Sequence, residues 1–405
     1  MPHAPQGRHM RIAHLAPTYE RVPPRTYGGT ELVVHLLTEE LVRRGHDVTL
    51  FATGDSTTSA RLRSVTPVPV RYGEATDDGL SHAEYLQLAN AQACFQAERR
   101  GEFDIVHNHA GIEGMVLAET SGTPVVSTMH NPLVPRTRPI WDAYPWFHHA
   151  VSAASAATFP KLGALPPIHH GIDVGSFDVG RPEGYLLFLG RFSPAKGADR
   201  AIEAARQAGR RLILAGKIDP PDAEHVRAKI EPAIDGDRIR YVGEVDADAK
   251  RALLSGADAL LFPIEWDEPF GLVMVEALAS GTPVIGFRRA SVPEVVEDGR
   301  TGFVVDDVGA MAEAIGRLDS IDRLECRRAA EQRFTFARMV DDVEEMYRSI
   351  VGREPVAVGP GAGADAMNRG AGGSGFGSGG PGGPAQALGE DPASGAAEDQ
   401  AEATV

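Results

Sequence analysis

Cysteine is nearly missing from this chain: its 405 residues include two, Cys94 and Cys326. They lie far apart and outside any CxxC spacing, which argues against a disulfide framework or a cysteine metal site and leaves two buried thiols as the expectation. Long apolar runs are missing too. Nothing approaches the ~20 apolar residues that cross a bilayer, and Met1 to Met10 has no apolar core of the signal-peptide kind, so a soluble, cytoplasmic protein without a transmembrane segment is expected. Basic charge is also short, with 40 Lys and Arg against 56 Asp and Glu and a formal net charge of −16. That balance disfavours wrapping around a nucleic acid, so any phosphate must be met by a local group of cations. No strongly basic amphipathic face is present either, although peripheral membrane contact stays open.

What is present suffices for two domains: 42% of the residues are hydrophobic and 24% charged over a length that supports two cores. From Pro355 onward the composition changes to Gly, Ala and Pro repeats such as Gly-Gly-Ser-Gly-Phe-Gly-Ser-Gly-Gly, with six acids against one arginine. Such a segment buries too little apolar surface to offset its ordering entropy, and 355–405 is expected to be a disordered tail.

Upstream, short apolar runs alternate with helix-length amphipathic ones. Strands are expected at Arg11–Leu15, Val48–Ala52, Ile105–Val106, Val125–Met129, Tyr185–Leu189, Leu212–Ala215, Ala259–Phe262 and Val284–Phe287. This alternation implies βα units and parallel sheets. Thr30–Arg44 reads as a helix, with Leu32, Val33, Leu36, Leu37 and Leu41 on one stripe and Glu31, Glu39, Glu40, Arg43 and Arg44 mostly off it.

Two echoes divide the chain. Ser121-Gly-Thr-Pro-Val-Val126 matches Ser280-Gly-Thr-Pro-Val-Ile285, and Arg44-Gly-His-Asp-Val-Thr-Leu50 loosely matches Ala208-Gly-Arg-Arg-Leu-Ile-Leu214. Gly-Thr-Pro is a common turn before a buried strand, yet two similar lobes are the better reading: 10–175 and 176–335, divided in the turn-rich stretch 171–184. Phe336 to Val351 has Met339, Val340, Val343, Met346, Tyr347 and Ile350 at helical spacing, a stripe suited to core packing. A ligand is then expected between the lobes, at the carboxyl ends of the strands.

Chemistry gathers in a few stretches. After the strand Tyr185–Leu189 comes Gly190-Arg191-Phe-Ser-Pro-Ala-Lys196-Gly197, a glycine-punctuated loop with two cations ahead of a helix. A diphosphate needs neutralising as its leaving oxygen gains charge: Arg191 can fork onto two oxygens, and Lys196 supplies a mobile point charge. The same loop alone would also pass for a solvated one. Glu268 and Glu276 stand eight positions apart around a helix start at Gly271. Free backbone N–H groups of Gly271, Leu272 and Val273 can take phosphate oxygens there. Glu268 can accept from sugar hydroxyls and Glu276 from a ribose diol, or they can be a helix-start acid and a solvated helical glutamate. Gly28 and Gly29 precede the first helix as a ligand cradle or a tight turn, and His130 ends a strand in the proposed cleft. The pairs His107/His109, His148/His149 and His169/His170 lack HExxH spacing and any cysteine, so no metal site is expected.

Taken together, these stretches resemble the retaining glycosyltransferases of family 4, from Met10 to Val351. The resemblance implies an α/β, GT-B fold: two Rossmann-like, doubly wound lobes facing a central cleft, with a C-terminal helix at 336–353 crossing back to the first lobe. It implies that the loop of Gly190, Arg191 and Lys196 holds the donor diphosphate, with Gly28 and Gly29 beneath it. It also places His130 and Glu268 at the donor sugar and Glu276 at the ribose, and puts Tyr241-Val-Gly-Glu-Val245 near the nucleobase, where uracil is the more common partner. Members often carry Asn where His170 precedes Gly171, so this position departs from the pattern.

The catalytic residues implied are His130, Arg191, Lys196 and Glu268. The activity implied is transfer of a hexose from a nucleotide-sugar such as UDP-glucose to a hydroxyl acceptor with retention, metal-independent and without a cofactor. A GT-B sugar phosphorylase or epimerase, or a noncatalytic nucleotide-sugar-binding protein, would reuse the same lobes. The acceptor is not legible, because its surface falls on loops such as 131–146, where Trp141, Tyr144 and Trp146 either stack on a sugar or pack inward.

Overall fold

A computed structural model describes residues 9–26, 28–70, 82–143, 147–159 and 164–351. The expected tail at 355–405, Tyr144 and Trp146 therefore lie outside the described residues. The first sheet contains β1 (Arg11–Leu15), β2 (Asp47–Phe51), β3 (Arg61–Arg63), β4 (Ile105–Asn108), β5 (Val125–Met129) and β6 (Phe147–Ala150), in the order β3-β2-β1-β4-β5-β6. The second contains β7 (Tyr185–Leu189), β8 (Arg211–Ala215), β9 (Ile239–Tyr241), β10 (Ala259–Phe262), β11 (Val284–Phe287) and β12 (Gly302–Val305), in the order β12-β11-β10-β7-β8-β9. Counted within its own lobe, each sheet reads 3-2-1-4-5-6, and the named strand pairs are parallel. This is the doubly wound arrangement, with a crevice where the connections diverge beyond the first and fourth strands.

The echoes in the sequence occupy equivalent places. The Gly-Thr-Pro turns lead into β5 and β11, each the fifth strand of its lobe, and the looser pair leads into β2 and β8, each the second. All eight expected strands form. The four not foreseen, β3, β6, β9 and β12, are the four sheet edges.

One reading of the first helix is corrected. It spans Gly29–Arg43 and buries Val33, Val34, Leu37 and Leu41, but Glu31 and Glu40, expected off the apolar stripe, are only 6% and 4% exposed. Glu40 is held by its own helix end, with Arg43 Nε at 2.6 Å and Arg44 Nε at 2.8 Å. Arg44 also reaches Asp341 at 2.6 Å and Glu344 at 3.0 Å.

Those two acids belong to the helix Phe336–Ile350, which Thr335 caps. Its Met339, Val340, Val343, Met346, Tyr347 and Ile350 pack with Ile12, Val33, Leu37, Ile105 and Val126 of the first lobe. Each such side chain contributes about 1.5–3 kcal/mol of burial before entropy is subtracted. The chain's two passages between lobes run side by side: Ile172 N donates to Phe334 O at 2.9 Å, and Phe336 N to Ile172 O at 3.0 Å. Gly171 permits this approach, since a Cβ there would stand 2.4 Å from Thr335 O. Cys94 and Cys326 are free and buried. Among the described residues, no helix is long and apolar enough to cross a membrane.

Candidate functional site

The second-lobe wall of the cleft starts where β7 ends. Pro194–Lys196 forms a short turn, and Gly197, at φ 81°, leads into the helix Ala198–Gln207. The turn aims Lys196 at the loop before the next helix, placing its Nζ 2.5 Å from Glu268 Oε2. Trp266 supports both partners: its ring centroid lies 4.3 Å from Lys196 Nζ, and its Nε1–H donates to the same Glu268 oxygen at 2.9 Å. Glu268 is 9% exposed, so its carboxylate is held in place rather than swinging in solvent.

Gly271 takes a left-handed conformation, φ 80° and ψ 64°, to start the helix Leu272–Ala279. A Cβ there would come within 2.7 Å of Met274 Cε. One turn on, Glu276 is 4% exposed and receives Lys250 Nζ at 2.5 Å. Lys250 comes from the helix Ala247–Gly256, which Asp246 caps. Neither Trp266 nor Lys250 stood out in the sequence, because a loop indole and a helical lysine each have ordinary structural uses. Arg191 faces two acids, Asp219 and Asp222, each at 3.6 Å. A Cβ on Gly190 would meet no atom within 4 Å, so the backbone there is open to approach.

The first lobe supplies the opposite wall. Gly28, at φ 149°, caps the Gly29–Arg43 helix, and a Cβ on it would strike Pro24 Cβ at 2.7 Å. Gly29 faces the donor-side helix: its Cβ position lies 3.2 Å from Leu272 Cδ1. Two glycine-started helices thus meet end to end across the cleft. Tyr27 lies outside the described residues. Glu31, in the first turn, has its carboxyl raised to about 7, mainly by burial; Glu20 adds to the shift, while its own backbone N–H and Lys217 oppose it. Thr26 Oγ1 donates to Glu244 Oε1 at 2.6 Å, and Glu294 accepts from the backbone N–H groups of Ala153 and Ala154 at 2.9 and 2.7 Å. These contacts tie one lobe to the other.

His130 is paired with His109, Nε2 to Nδ1 at 2.9 Å, and stacks on His170 at 5.1 Å between centroids. His170 in turn meets the Phe270 ring at 5.4 Å, beside Gly271. Burial, with His149 adding, pulls His130 down to about 3, so the ring is neutral near pH 7. His109, paired with it, is itself only 4% exposed. Trp141 takes the packing option, buried 5.9 Å from the Phe159 ring.

Behind His109 runs a hydrogen-bond chain whose direction can be assigned. The His149 ring meets the Ala150 carbonyl through Nδ1 at 3.3 Å, so that nitrogen carries the proton. His149 Nε2 then accepts from Thr128 Oγ1 at 2.7 Å, and Thr128 accepts from His107 Nε2 at 2.6 Å. His107 Nδ1 accepts from Tyr347 Oη at 2.6 Å; Tyr347 accepts from His14 Nε2 at 3.1 Å; and His14 Nδ1 accepts from Thr38 Oγ1 at 2.8 Å. Each step is forced by the one before, provided all three rings are neutral. Burial ensures that, holding His14 at about 3, His149 at about 4 and His107 well below its ordinary value. The ring nitrogens of His14, His107 and His109 come within 4.8 Å of one another. The contacts of His14 and His107 engage both nitrogens of each ring in this chain.

The structure thus brings Lys196, Glu268, Gly271, Leu272 and Gly29 together, sets Arg191 among acids, and holds Glu276 on Lys250. Comparison with known proteins agrees with this architecture. Residues 27–175 match the model described as Glycosyltransferase Family 4, and residues 177–349 match that of Glycosyl transferases group 1. Phosphatidyl-myo-inositol mannosyltransferase of Mycobacterium leprae is 26% identical over 84% of this chain and 97% of its own. D-inositol 3-phosphate glycosyltransferase of Pseudarthrobacter chlorophenolicus is 26% identical over 68% of this chain and 77% of its own. Among solved structures, AviGT4, a glycosyltransferase involved in avilamycin A biosynthesis, superposes with a TM-score of 0.65 at 26% identity, covering 85% of this chain and 99% of that one. Anabaena HepE in complex with UDP and glucose shares the fold, with a TM-score of 0.65 at 21% identity over 84% of this chain and 100% of that one. With both lobes matched in order and the twin sheets in place, the chain belongs to the family 4 glycosyltransferases of the GT-B fold.

Proposed function

We propose that this protein transfers a hexose from a UDP-hexose to an acceptor hydroxyl, with retention of the anomeric configuration and without a metal ion. The observation that carries the reading is the Lys196–Glu268 pair at 2.5 Å, set beside the Leu272–Ala279 helix start with Gly29 facing it. A diphosphate at that helix start meets the free N–H groups of Gly271, Leu272 and Val273. Gly190 keeps the approach clear. Arg191 and Lys196 neutralise the leaving oxygen as its charge grows, the largest rate effect available here. As the phosphate draws on Lys196, Glu268, still held by the Trp266 N–H, is left to accept from the sugar hydroxyls. Glu276 on Lys250 takes the ribose diol, and neutral His130 offers a hydrogen bond at the sugar.

Glu268 is engaged by two donors and acts as a binder, not a nucleophile. Retention then follows from front-face attack: the acceptor oxygen bonds to the anomeric carbon as the carbon–phosphate oxygen bond breaks, and the hydroxyl proton passes to the departing phosphate. The HepE complex with UDP and glucose supports this choice of donor. Incubation with UDP-glucose and other nucleotide-sugars, with and without cell extract, should release the nucleotide. No release from any donor refutes the reading, and a product with inverted anomeric NMR couplings refutes retention alone.

A further inference from the structure

We propose that Lys217 is a third cation of the diphosphate site, and that Asp219 and Asp222 hold Arg191 and Lys217 until a nucleotide arrives; this rests on the donor-site reading above. β7 and β8 are paired in parallel with Leu189 opposite Ala215. The pairing runs on past the strand ends, where Gly190 N donates to Ala215 O at 3.0 Å and Phe192 N to Lys217 O at 3.1 Å. Arg191 and Lys217 are therefore level on neighbouring chains, and in a parallel pair residues at one level project from the same face. Gly216 lets the chains close up, since a Cβ there would stand 2.0 Å from Gly190 O.

Both cations share an acid. Asp219 Oδ1 lies 3.1 Å from Lys217 Nζ, while its Oδ2 lies 3.6 Å from Arg191 Nη1. Asp222 Oδ2 stands 3.6 Å from Arg191 Nε. At that separation the charges attract without a hydrogen bond forming, and Arg191 Nε is buried with no acceptor. A phosphate oxygen is the kind of group that satisfies such an N–H. Two residues on, Ser193 is 5% exposed and its hydroxyl also has no partner. Lys217 acts across the cleft as well, because its charge opposes the upward shift of Glu31 beside the first lobe's glycines. The acids are poor tenants: burial raises the Asp222 carboxyl, Arg191 opposes that, and Asp219 adds to it. A diphosphate that replaces them satisfies the Arg191 N–H and returns the carboxylates to water.

Calorimetric titration of the full chain with UDP, GDP and ADP in separate experiments tests this. For whichever nucleotide binds, Lys217→Ala should weaken Kd by about tenfold, and Asp219→Asn should tighten it by about threefold. The opposite signs rule out damage to the fold as the common cause. Lys217→Ala within about twofold of wild type, while Arg191→Ala or Lys196→Ala weakens binding by about tenfold or more, overturns the inference and leaves the donor site standing. No binding of any of the three nucleotides, or binding indifferent to Arg191→Ala and Lys196→Ala, overturns the donor site and the inference with it.

Discussion

Tyr347→Phe removes a single oxygen from the centre of the first lobe, and the assigned direction of the hydrogen-bond chain says what that costs. The Tyr347 hydroxyl donates to His107 Nδ1 at 2.6 Å and accepts from His14 Nε2 at 3.1 Å, all three residues being buried. Without it, one buried acceptor and one buried donor lose their partners, while the ring still packs. Each unsatisfied group costs about 1–3 kcal/mol, so the variant should lose about 2–6 kcal/mol. Urea unfolding followed by tryptophan fluorescence gives the total, and hydrogen exchange of the 336–350 amides should locate it on the crossing helix. Thr38→Val, which removes the donor to His14 Nδ1, serves as the coupled partner. The double variant should lose less than the sum of the singles, because both act on the same imidazole. A Tyr347→Phe protein within about 0.5 kcal/mol of wild type, or a strictly additive double variant, would refute the assigned chain.

Acid should weaken the fold through the same rings. His14 and His130 lie near 3 and His149 near 4 when folded, against about 6.5 in an unfolded chain. Their contribution is complete above about pH 6.5 and is lost as pH falls toward those values, so the urea midpoint should decline below pH 6.5 and a flat profile to pH 4.5 would contradict it. Glu31 has the opposite sign: its carboxyl is raised to about 7, so ionising it opposes folding as pH rises. Glu31→Gln should therefore stabilise the protein by roughly 2–4 kcal/mol at pH 8 and little at pH 5, measured by the same denaturation. Lys196→Ala should lower turnover by roughly 10²–10³-fold in a nucleotide-release assay.

How far the sequence could be read depended on what each residue had to satisfy. Interior strands such as Ala259–Phe262 are covered on both faces and show as unbroken apolar runs, whereas the three- and four-residue edge strands pair on one side only and leave little pattern. Charge misled at Glu40, since the arginines that bury it follow within one helical turn. For Lys217 a usable signal did exist: Tyr185–Leu189 is followed by Gly190 and Arg191, as Leu212–Ala215 is followed by Gly216 and Lys217. The histidine chain had none, because Tyr347 lies 240 positions from the His107 it serves and motif spacing reads only near neighbours.

The crossing helix also sets a timetable for synthesis. The first lobe's sheet is complete by Ala150, yet Met339, Val343 and Tyr347, which close one of its faces, are translated after the whole second sheet. At about 5–20 residues per second, that face stays uncovered for roughly ten to forty seconds after β6 has emerged. In that interval it exposes Ile12, Val33, Leu37, Ile105 and Val126 together with an unfinished row of imidazoles. A chain released before residue 350 therefore leaves those side chains without the cover that the crossing helix gives them.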